Sequence, residues 1–338
     1  MKNGLSVGIV GLGSYAPDKK LTNADLEKMV DTSDEWIRTR TGILERRIVT
    51  DEVSSSDLAI SATRRALDDA GITPDEIDLI ICSTATPDMM FPATACIVQD
   101  AIGANNAGAF DMEIGCSGFI YGLTVGSQFV KNGMYRTVLV IGTECLTKIV
   151  NWEDRRTCVL FGDGAGAAVL QPLKRGKGFM GFELGSRGSG AELLKLPAGG
   201  SRKPASFETV ANKEHCIYMD GHEVYKFAVV IMGEAAVKAL ERAGLKSEDV
   251  DYFIPHQANI RIIKAAAKRL NLDMDRVIVN VDRYGNTSCA SVPLALDEAR
   301  REGKIKDGDI LVFVAFGAGL SWAAAVMEWG GEPLKTGV

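Results

Sequence analysis

Two stretches of the chain decide its fold: ALDDAGITPDEIDLII, residues 66–81, and ALERAGLKSEDVDYFI, residues 239–254. The second begins 173 residues after the first, and five residues recur unchanged at that spacing: Ala66, Leu67, Ala70, Gly71 and Asp78. The same spacing sets VLVIG, from Val138, over LVFVA, from Leu311. Matching segments in one order at one spacing indicate a tandem duplication. We expect the two halves to span residues 1–175 and 176–338.

Each half is predicted to alternate strands with helices. Four strands of the first half are rich in Val and Ile with little polar alternation, which is typical of strands buried on both faces: LSVGIVGLG (5–13), IDLIICSTA (77–85), NAGAFDME (106–113) and TVLVIGTE (137–144). A helix from Ser56 to Ala70 is predicted to end at Gly71. This order predicts an α/β fold with mostly parallel sheets and shared central helices. Segment 185–213, rich in Gly, Ser, Lys and Pro, is predicted to join the halves and shape a site.

Composition excludes several classes of function. Of 338 residues, 46% are hydrophobic and 24% charged, and the net charge is −6, so nothing global suggests nucleic acid. The first residues show no long apolar run, so we expect no signal peptide and no membrane association. Seven scattered cysteines indicate a reducing cytoplasm rather than disulfides or a zinc cluster. With only three histidines, no metal and no cofactor are expected.

The stretch GAFDMEIGCSGFIYGL, residues 108–123, places a cysteine on a tight corner. Cys116 stands between Gly115 and Ser117-Gly118, after a predicted strand and before a predicted helix. Small neighbours allow a sharp bend and a close approach by another molecule. The positive end of the helix dipole favours thiolate, so the corner indicates a nucleophile. An ordinary buried cysteine is the alternative.

The duplication predicts what surrounds Cys116. Its counterpart 173 residues later is Cys289, in YGNTSCASVPLAL, so the two corners should face each other and bring Asn286 close to Cys116. His256 follows VDYFI at a strand end, where ligand sites of such sheets lie. After the strand in VFVAFGAGLSW (312–322), the turn at Ala318 presents backbone N–H groups suited to an oxyanion hole. A lone histidine or Gly-x-Gly turn is usually structural.

At this point the chain resembles a known family over essentially its whole length. CSGF, PHQANIRI, YGNTS and AFGAGLSW, with DTSDEWIRTRTGILERRI (31–48), FPATACIVQ (91–99) and LFGDGAGAAVL (160–170), are similar to motifs of β-ketoacyl-acyl-carrier-protein synthase III, of the thiolase superfamily. The resemblance implies a five-layered αβαβα fold, a cytoplasmic homodimer and the first condensation of type II fatty-acid synthesis. The substrates would be an acyl-coenzyme A primer and malonyl-acyl-carrier protein.

The resemblance also implies roles for individual residues. It assigns catalysis to Cys116, His256 and Asn286, and oxyanion binding to the backbone of Cys116 and Ala318. The residues implied to bind coenzyme A are Thr32, Trp36, Arg40, Arg155 and Asn259. Those implied to bind the carrier protein are Gln257, Ala258, Asn259, Ile260 and Arg261. Phe91 would close the acyl pocket of the partner subunit; a core phenylalanine is the alternative.

The chain departs from the family pattern at two places, and three other functions are alternatives. EIG precedes Cys116 where the family usually has two alanines, and Ala318 stands where glycine is frequent. A 3-hydroxy-3-methylglutaryl-coenzyme A synthase would need a glutamate near the cysteine, for which Glu113 is an imperfect candidate; a polyketide-type synthase is the other enzyme alternative. A non-catalytic carrier-binding protein should lack the cysteine.

Arg261, Lys264 and Lys268 share a helix face that is either solvated or a docking surface.

Overall fold

Helices and sheets stack in five layers in the computed structural model, which describes residues 5–174 and 176–334. Its strands are Ser6–Tyr15 (β1), Lys20–Thr22 (β2), Glu45–Arg47 (β3), Leu79–Ser83 (β4), Gly108–Met112 (β5), Val138–Glu144 (β6), Gly164–Leu173 (β7), Gly178–Ser186 (β8), Leu194–Lys195 (β9), Tyr218–Met219 (β10), Tyr252–Pro255 (β11), Ile310–Gly317 (β12) and Ser321–Glu328 (β13). Its helices are Asn23–Leu26 (α1), Asp34–Thr41 (α2), Ser55–Ala70 (α3), Thr94–Ile102 (α4), Gly118–Lys131 (α5), Phe207–Ala211 (α6), Gly221–Ala243 (α7), Ile260–Arg269 (α8), Val281–Tyr284 (α9) and Ser291–Arg301 (α10).

The two main sheets have the orders β1-β7-β6-β4-β5 and β11-β12-β13-β8. Helices α3 and α4 cover the outer face of the first sheet, α5 and α10 lie between the sheets, and α7 and α8 cover the outer face of the second. Three clusters of buried apolar side chains fill the spaces between these layers. The αβαβα prediction is therefore confirmed.

The duplication is visible in corresponding elements. Helices α3 and α7 end at Gly71 and Gly244, both left-handed with φ of 65° and 73°. A 3-10 turn precedes each central helix, at Gly115–Ser117 before α5 and at Ser288–Ala290 before α10. The repeat spacing in the sequence thus predicts corresponding corners in the structure.

Three expectations are wrong: that the sheets are mostly parallel, that β5 is buried on both faces, and that segment 185–213 joins the two halves. The sheets are mixed: β4 is parallel to β5 and β6, and β11 to β12, but β7 and β13 are antiparallel to their neighbours. Both follow the preceding strand without a crossover helix, so the chain returns in the opposite direction. Strand β5 is half exposed because it is an edge strand. Segment 185–213 contains β9 and α6, and the chain passes between the sheets earlier, from β7 to β8.

All seven cysteines lie in the described residues and are unpaired. Within residues 5–174 and 176–334, no helix is both long and apolar enough to cross a membrane.

Candidate active site

Cys116 lies in the 3-10 turn Gly115–Ser117 at the start of α5 and is partly exposed. This turn packs against the 3-10 turn Ser288–Ala290 and against β12. The two corners predicted from the duplication therefore meet, as expected. Gly115 has a left-handed φ of 56°, which lets the chain turn sharply just before the thiol.

Two backbone N–H groups flank the cysteine corner. The Cys116 turn and the Ala318 turn lie so close together that only glycine fits between them. A Cβ atom built on Gly317 would lie 2.5 Å from the backbone nitrogen of Cys116, and one built on Gly115 would lie 3.1 Å from the backbone nitrogen of Ala318. Among the turns and loops of the described residues, neither N–H donates to a carbonyl. Cys116 N and Ala318 N can therefore both donate to an oxyanion.

Two serines that sequence reasoning missed hold these turns together. Ser117 Oγ and Ser321 Oγ are 2.7 Å apart, and each also lies within hydrogen-bond distance of Ile114 O. Ser321 Oγ is 2.9 Å from Ala318 O. The two N–H groups come from opposite halves of the duplication, and this buried hydroxyl pair fixes their spacing.

His256 follows β11 and is 1% exposed. Its backbone N–H donates to Val314 O at 2.7 Å, and its ring nitrogen Nδ1 lies 2.7 Å from Ser291 Oγ. Its ring meets Phe316 edge-on at 5.6 Å between centroids, beside Gly317 and the cysteine corner. Burial lowers the pKa of His256 to about 3, so the imidazole is neutral. The Ser291 hydroxyl can donate or accept, so it suits either tautomer.

Asn286 is held by its own backbone and by its side-chain oxygen. Its N–H donates to Leu160 O at 2.8 Å, and its carbonyl accepts from Gly162 N at 3.0 Å. Oδ1 accepts from Ser288 N at 2.9 Å. The Nδ2 group makes no hydrogen bond within residues 5–174 and 176–334, so it is available to a ligand.

The Cys116 thiol is protonated at rest. Burial raises its pKa to about 12; the neighbouring Ser288 hydroxyl opposes the rise and the Glu144 carboxylate adds to it. A rise from 9.0 to about 12 corresponds to about 4 kcal/mol against the thiolate. A helix dipole contributes about 2 kcal/mol at most. Burial therefore opposes the effect expected from the helix start and favours the thiol over the thiolate.

Glu144, at the end of β6, is a buried carboxylate that sequence reasoning missed. It accepts from Thr86 Oγ1 at 2.7 Å, from Ala85 N at 3.1 Å and from Cys289 Sγ at 3.3 Å. Burial raises the pKa of this carboxyl. Glu113, the glutamate considered from the sequence, is exposed instead.

Three of the residues implied to bind coenzyme A lie together. The guanidinium carbons of Arg40 and Arg155 lie 4.9 and 5.6 Å from the Trp36 ring centroid. Arg155 Nη1 donates to Asp31 O at 2.8 Å, which fixes its approach to α2. The neighbouring Thr32 Oγ1 is shielded from solvent and has no hydrogen-bond partner in the described part of the chain. An aromatic ring, two guanidinium groups and an unsatisfied hydroxyl suit a nucleotide.

Comparison with known proteins identifies the family. Residues 110–188 match the model of 3-oxoacyl-[acyl-carrier-protein (ACP)] synthase III, and residues 240–329 match the model of its C-terminal part. A β-ketoacyl-[acyl-carrier-protein] synthase III from Caldanaerobacter subterraneus subsp. tengcongensis is 61% identical over 96% of this chain and 98% of its own.

The chain belongs to the β-ketoacyl-acyl-carrier-protein synthase III family. Solved synthase III structures agree. The one from Thermus thermophilus is 48% identical with a TM-score of 0.90, and the one from Aquifex aeolicus VF5 is 47% identical with a TM-score of 0.89. Each covers 96% of this chain and 100% of its own. The fold is therefore that of this family of thiolase-like condensing enzymes, which are acyltransferases.

The segment of PHQANIRI in this synthase III chain divides into a buried and an exposed part. Gln257 and Ala258 are buried at 1% and 6% exposure. Neither side chain reaches the surface of the single chain, and the carrier-binding role implied for these two residues stays a prediction. Asn259 caps α8, accepting from Arg261 N and from the next N–H at 3.0 Å each. Ile260 is partly exposed and packs on Gly42 of the α2 end.

Beyond the cap, helix α8 exposes its basic face. Arg261, Lys264 and Lys268 are exposed, as predicted, and the Arg261 guanidinium lies 5.2 Å from the Tyr225 ring centroid. Tyr225 had no signal in the sequence, because α7 and α8 meet only in the folded chain.

Phe91 is not a core residue. It is 84% exposed and follows Met89 and Met90, which are 49% and 79% exposed. Phe110 on the edge strand β5 is 36% exposed. These large apolar side chains are exposed in the single chain of this synthase III member, and the core alternative is therefore wrong.

Proposed function

We propose that this synthase III member condenses an acyl-coenzyme A primer with malonyl-acyl-carrier protein, giving a 3-oxoacyl-carrier product, coenzyme A and carbon dioxide. One observation carries the assignment of roles. The Cys116 turn packs against β12 and against the turn Ser288–Ala290, which is bonded to Asn286 through Ser288 N, and His256 contacts Phe316 of β12. Together these residues form a set for holding a nucleophile and an oxyanion without adding net charge.

In the first half-reaction, Cys116 Sγ attacks the thioester carbonyl. The thiol is protonated at rest, so its proton passes to His256 Nε2, which is neutral, as the carbon–sulfur bond forms. Cys116 N and Ala318 N stabilise the tetrahedral oxyanion. The intermediate expels the coenzyme A thiolate, which takes the proton and leaves as a thiol.

In the second half-reaction, the malonyl thioester loses its carboxylate as carbon dioxide. The electron pair of the broken carbon–carbon bond forms an enolate. Its oxygen accepts from Asn286 Nδ2 and from His256 Nε2 in the neutral tautomer that carries the proton on Nε2, in which Nδ1 accepts from Ser291 Oγ. The enolate carbon attacks the acyl carbonyl, the carbon–sulfur bond to Cys116 breaks, and the released thiolate takes a proton from solvent. A neutral amide suits this step better than a carboxylate, which would repel the enolate.

We assign the coenzyme A nucleotide to Trp36, Arg40, Arg155 and Thr32, with Asn259 at the entrance to the catalytic loop. The stacked guanidinium and indole groups, together with the unsatisfied Thr32 hydroxyl, support this assignment. The carrier protein would dock on Arg261, because a chain with a net charge of −6 needs a local basic surface to bind an acidic partner. Seven free cysteines support a cytoplasmic location.

A homodimer would complete the acyl pocket. Strand β5 is the last strand of its sheet and, within the described residues, pairs with a neighbour on one side only. Phe110 on this strand and Met90 and Phe91 have exposed apolar side chains. Pairing of β5 with its counterpart in a second copy would satisfy the edge and bury these side chains. Phe91 would then reach the partner's pocket.

Intact-protein mass spectrometry with acetyl-coenzyme A tests the proposal. The protein should gain one acetyl group, and peptide mapping should place it on Cys116. The Cys116→Ala variant should gain none, whereas Cys289→Ala should behave as the parent. No adduct in the parent, or an adduct that persists in Cys116→Ala, would exclude the proposed nucleophile.

A further inference from the structure

Gln257 is a buried polar side chain between two segments of the active site. It directly follows His256 and is 1% exposed. Its backbone N–H points to Ser291 Oγ at 3.4 Å, and the same hydroxyl lies 2.7 Å from His256 Nδ1. The residue is therefore tied to the histidine through the chain and through a shared serine.

The side chain of Gln257 bonds in two directions. Its Nε2 donates to Pro255 O at 2.8 Å and to Ile278 O at 3.1 Å. Its Oε1 accepts from Asn280 N at 3.0 Å and from Val281 N at 3.2 Å. Two donor hydrogens and two acceptor positions are all that an amide has, so every one is used.

These four bonds join the histidine segment to the asparagine segment. Pro255 ends β11 immediately before His256, and Val281 begins α9, which ends at Tyr284, two residues before Asn286. On its other side, Asn280 is held by Glu298, to which its Nδ2 donates at 3.0 Å. A fully satisfied buried network of this kind is rigid.

We propose that Gln257 is a positioning residue that sets the spacing between His256 Nε2 and Asn286 Nδ2, the two enolate donors. This role rests on the proposed function. The residue touches no substrate, because its polar atoms are all engaged and it is closed off from solvent. Its effect is largest in the step that needs both donors at once.

The effect should be larger in decarboxylation than in acylation. Loss of one oxyanion donor costs about 10²–10³ in rate, and a displacement of about 1 Å can cost about 10². Acyl-enzyme formation needs His256 Nε2 as proton acceptor but does not need Asn286, and its Cys116 and Ala318 N–H donors are held by Ser117 and Ser321 and not by Gln257. We therefore expect a roughly 10- to 100-fold loss in decarboxylation, with a clearly smaller loss in acylation, which uses only one of the two groups.

The test compares full-length Gln257→Met, which removes all four bonds at similar length, with Gln257→Glu, which keeps the accepting oxygen and loses the donor. Gln171→Leu is the matched control, because Gln171 is also buried and donates to Thr137 Oγ1 at 3.0 Å within the first half. For each, acylation by acetyl-coenzyme A and the kcat and KM for malonyl-carrier decarboxylation are measured on the same sample. Acylation also reports folding, so Gln257→Glu remains informative if Gln257→Met does not fold.

A fall in kcat for decarboxylation in the Gln257 variants, with a clearly smaller fall in acylation and Gln171→Leu unaffected, supports the positioning role. Three results overturn it: unchanged decarboxylation, an equal loss of both half-reactions in every folded variant, or a raised KM for malonyl-carrier with kcat unchanged. A raised KM with unchanged kcat would instead assign Gln257 to carrier binding. If the parent enzyme itself forms no acyl-enzyme, the proposed function fails instead, and the two failures are distinguishable.

Discussion

Alkylation of Cys116 by iodoacetamide should be slow at neutral pH and rise about tenfold with each pH unit. With a pKa raised by burial to about 12, about one Cys116 thiol in 10⁴ is ionised at pH 8. An ordinary thiol with a pKa of about 8.5 is roughly one-quarter ionised at that pH, so Cys116 has roughly two-thousand-fold less thiolate. Because only the thiolate reacts, the rate should follow that fraction.

The assay is peptide mapping after timed exposure to iodoacetamide at about pH 6.5, 7.5, 8.5 and 9.5. Cys96 on α4 is exposed and serves as the internal reference. We expect Cys96 to be labelled before Cys116 at neutral pH, with no plateau in the Cys116 rate. Prior acetylation with acetyl-coenzyme A should protect Cys116 alone.

A variant separates the causes of the shift. Glu144→Gln removes a buried carboxylate that disfavours the Cys116 thiolate, so Cys116 should react faster at every pH while keeping the tenfold rise per unit. A Cys116 rate that is already high at pH 6.5 and levels off by pH 7.5 would refute the reasoning. It would mean that thiolate and imidazolium form a pair at rest.

Three further predictions concern the substrates. Asn286→Ala should lose about 10²–10³ in the rate of malonyl decarboxylation and keep acylation. His256→Ala should slow both reactions, because His256 takes the thiol proton during acylation. Equal acylation rates in the two variants would contradict this division of roles. Arg261→Glu should raise the KM for malonyl-carrier and leave the primer KM unchanged, less so at high salt because exposed charges are screened within about 10 Å at 0.1 M; an unchanged carrier KM would leave α8 without a partner. Trp36→Ala should raise the primer KM by roughly tenfold, the loss expected for an aromatic platform under a cation, and a KM equal to the parent's would place the nucleotide elsewhere.

Four strands of the first half, the helix that ends at Gly71 and the matching corners could be predicted from the sequence, because the signals are local and several of them occur twice. Gly71 and Gly244 end helices at matching places, and Cys116 and Cys289 lie on matching turns 173 residues apart. Strand direction could not be predicted for β7 and β13. Apolar runs look alike in parallel and antiparallel sheets, and direction depends on how the chain returns.

The sequence by itself determined which residues carry the proposed chemistry, because the duplication relates the Cys116 corner to the turn that bears Asn286 and places His256 at a strand end. Only the tertiary structure decided their environment. Ser291 reaches His256, Glu144 lies beside the cysteine corner and Gln257 is buried, although the resemblance implied that Gln257 binds the carrier protein. The state of the thiol follows from the same cause. Desolvation and hydrogen bonding depend on what packs around a group, and elements more than a hundred residues apart in the chain supply those neighbours in this fold.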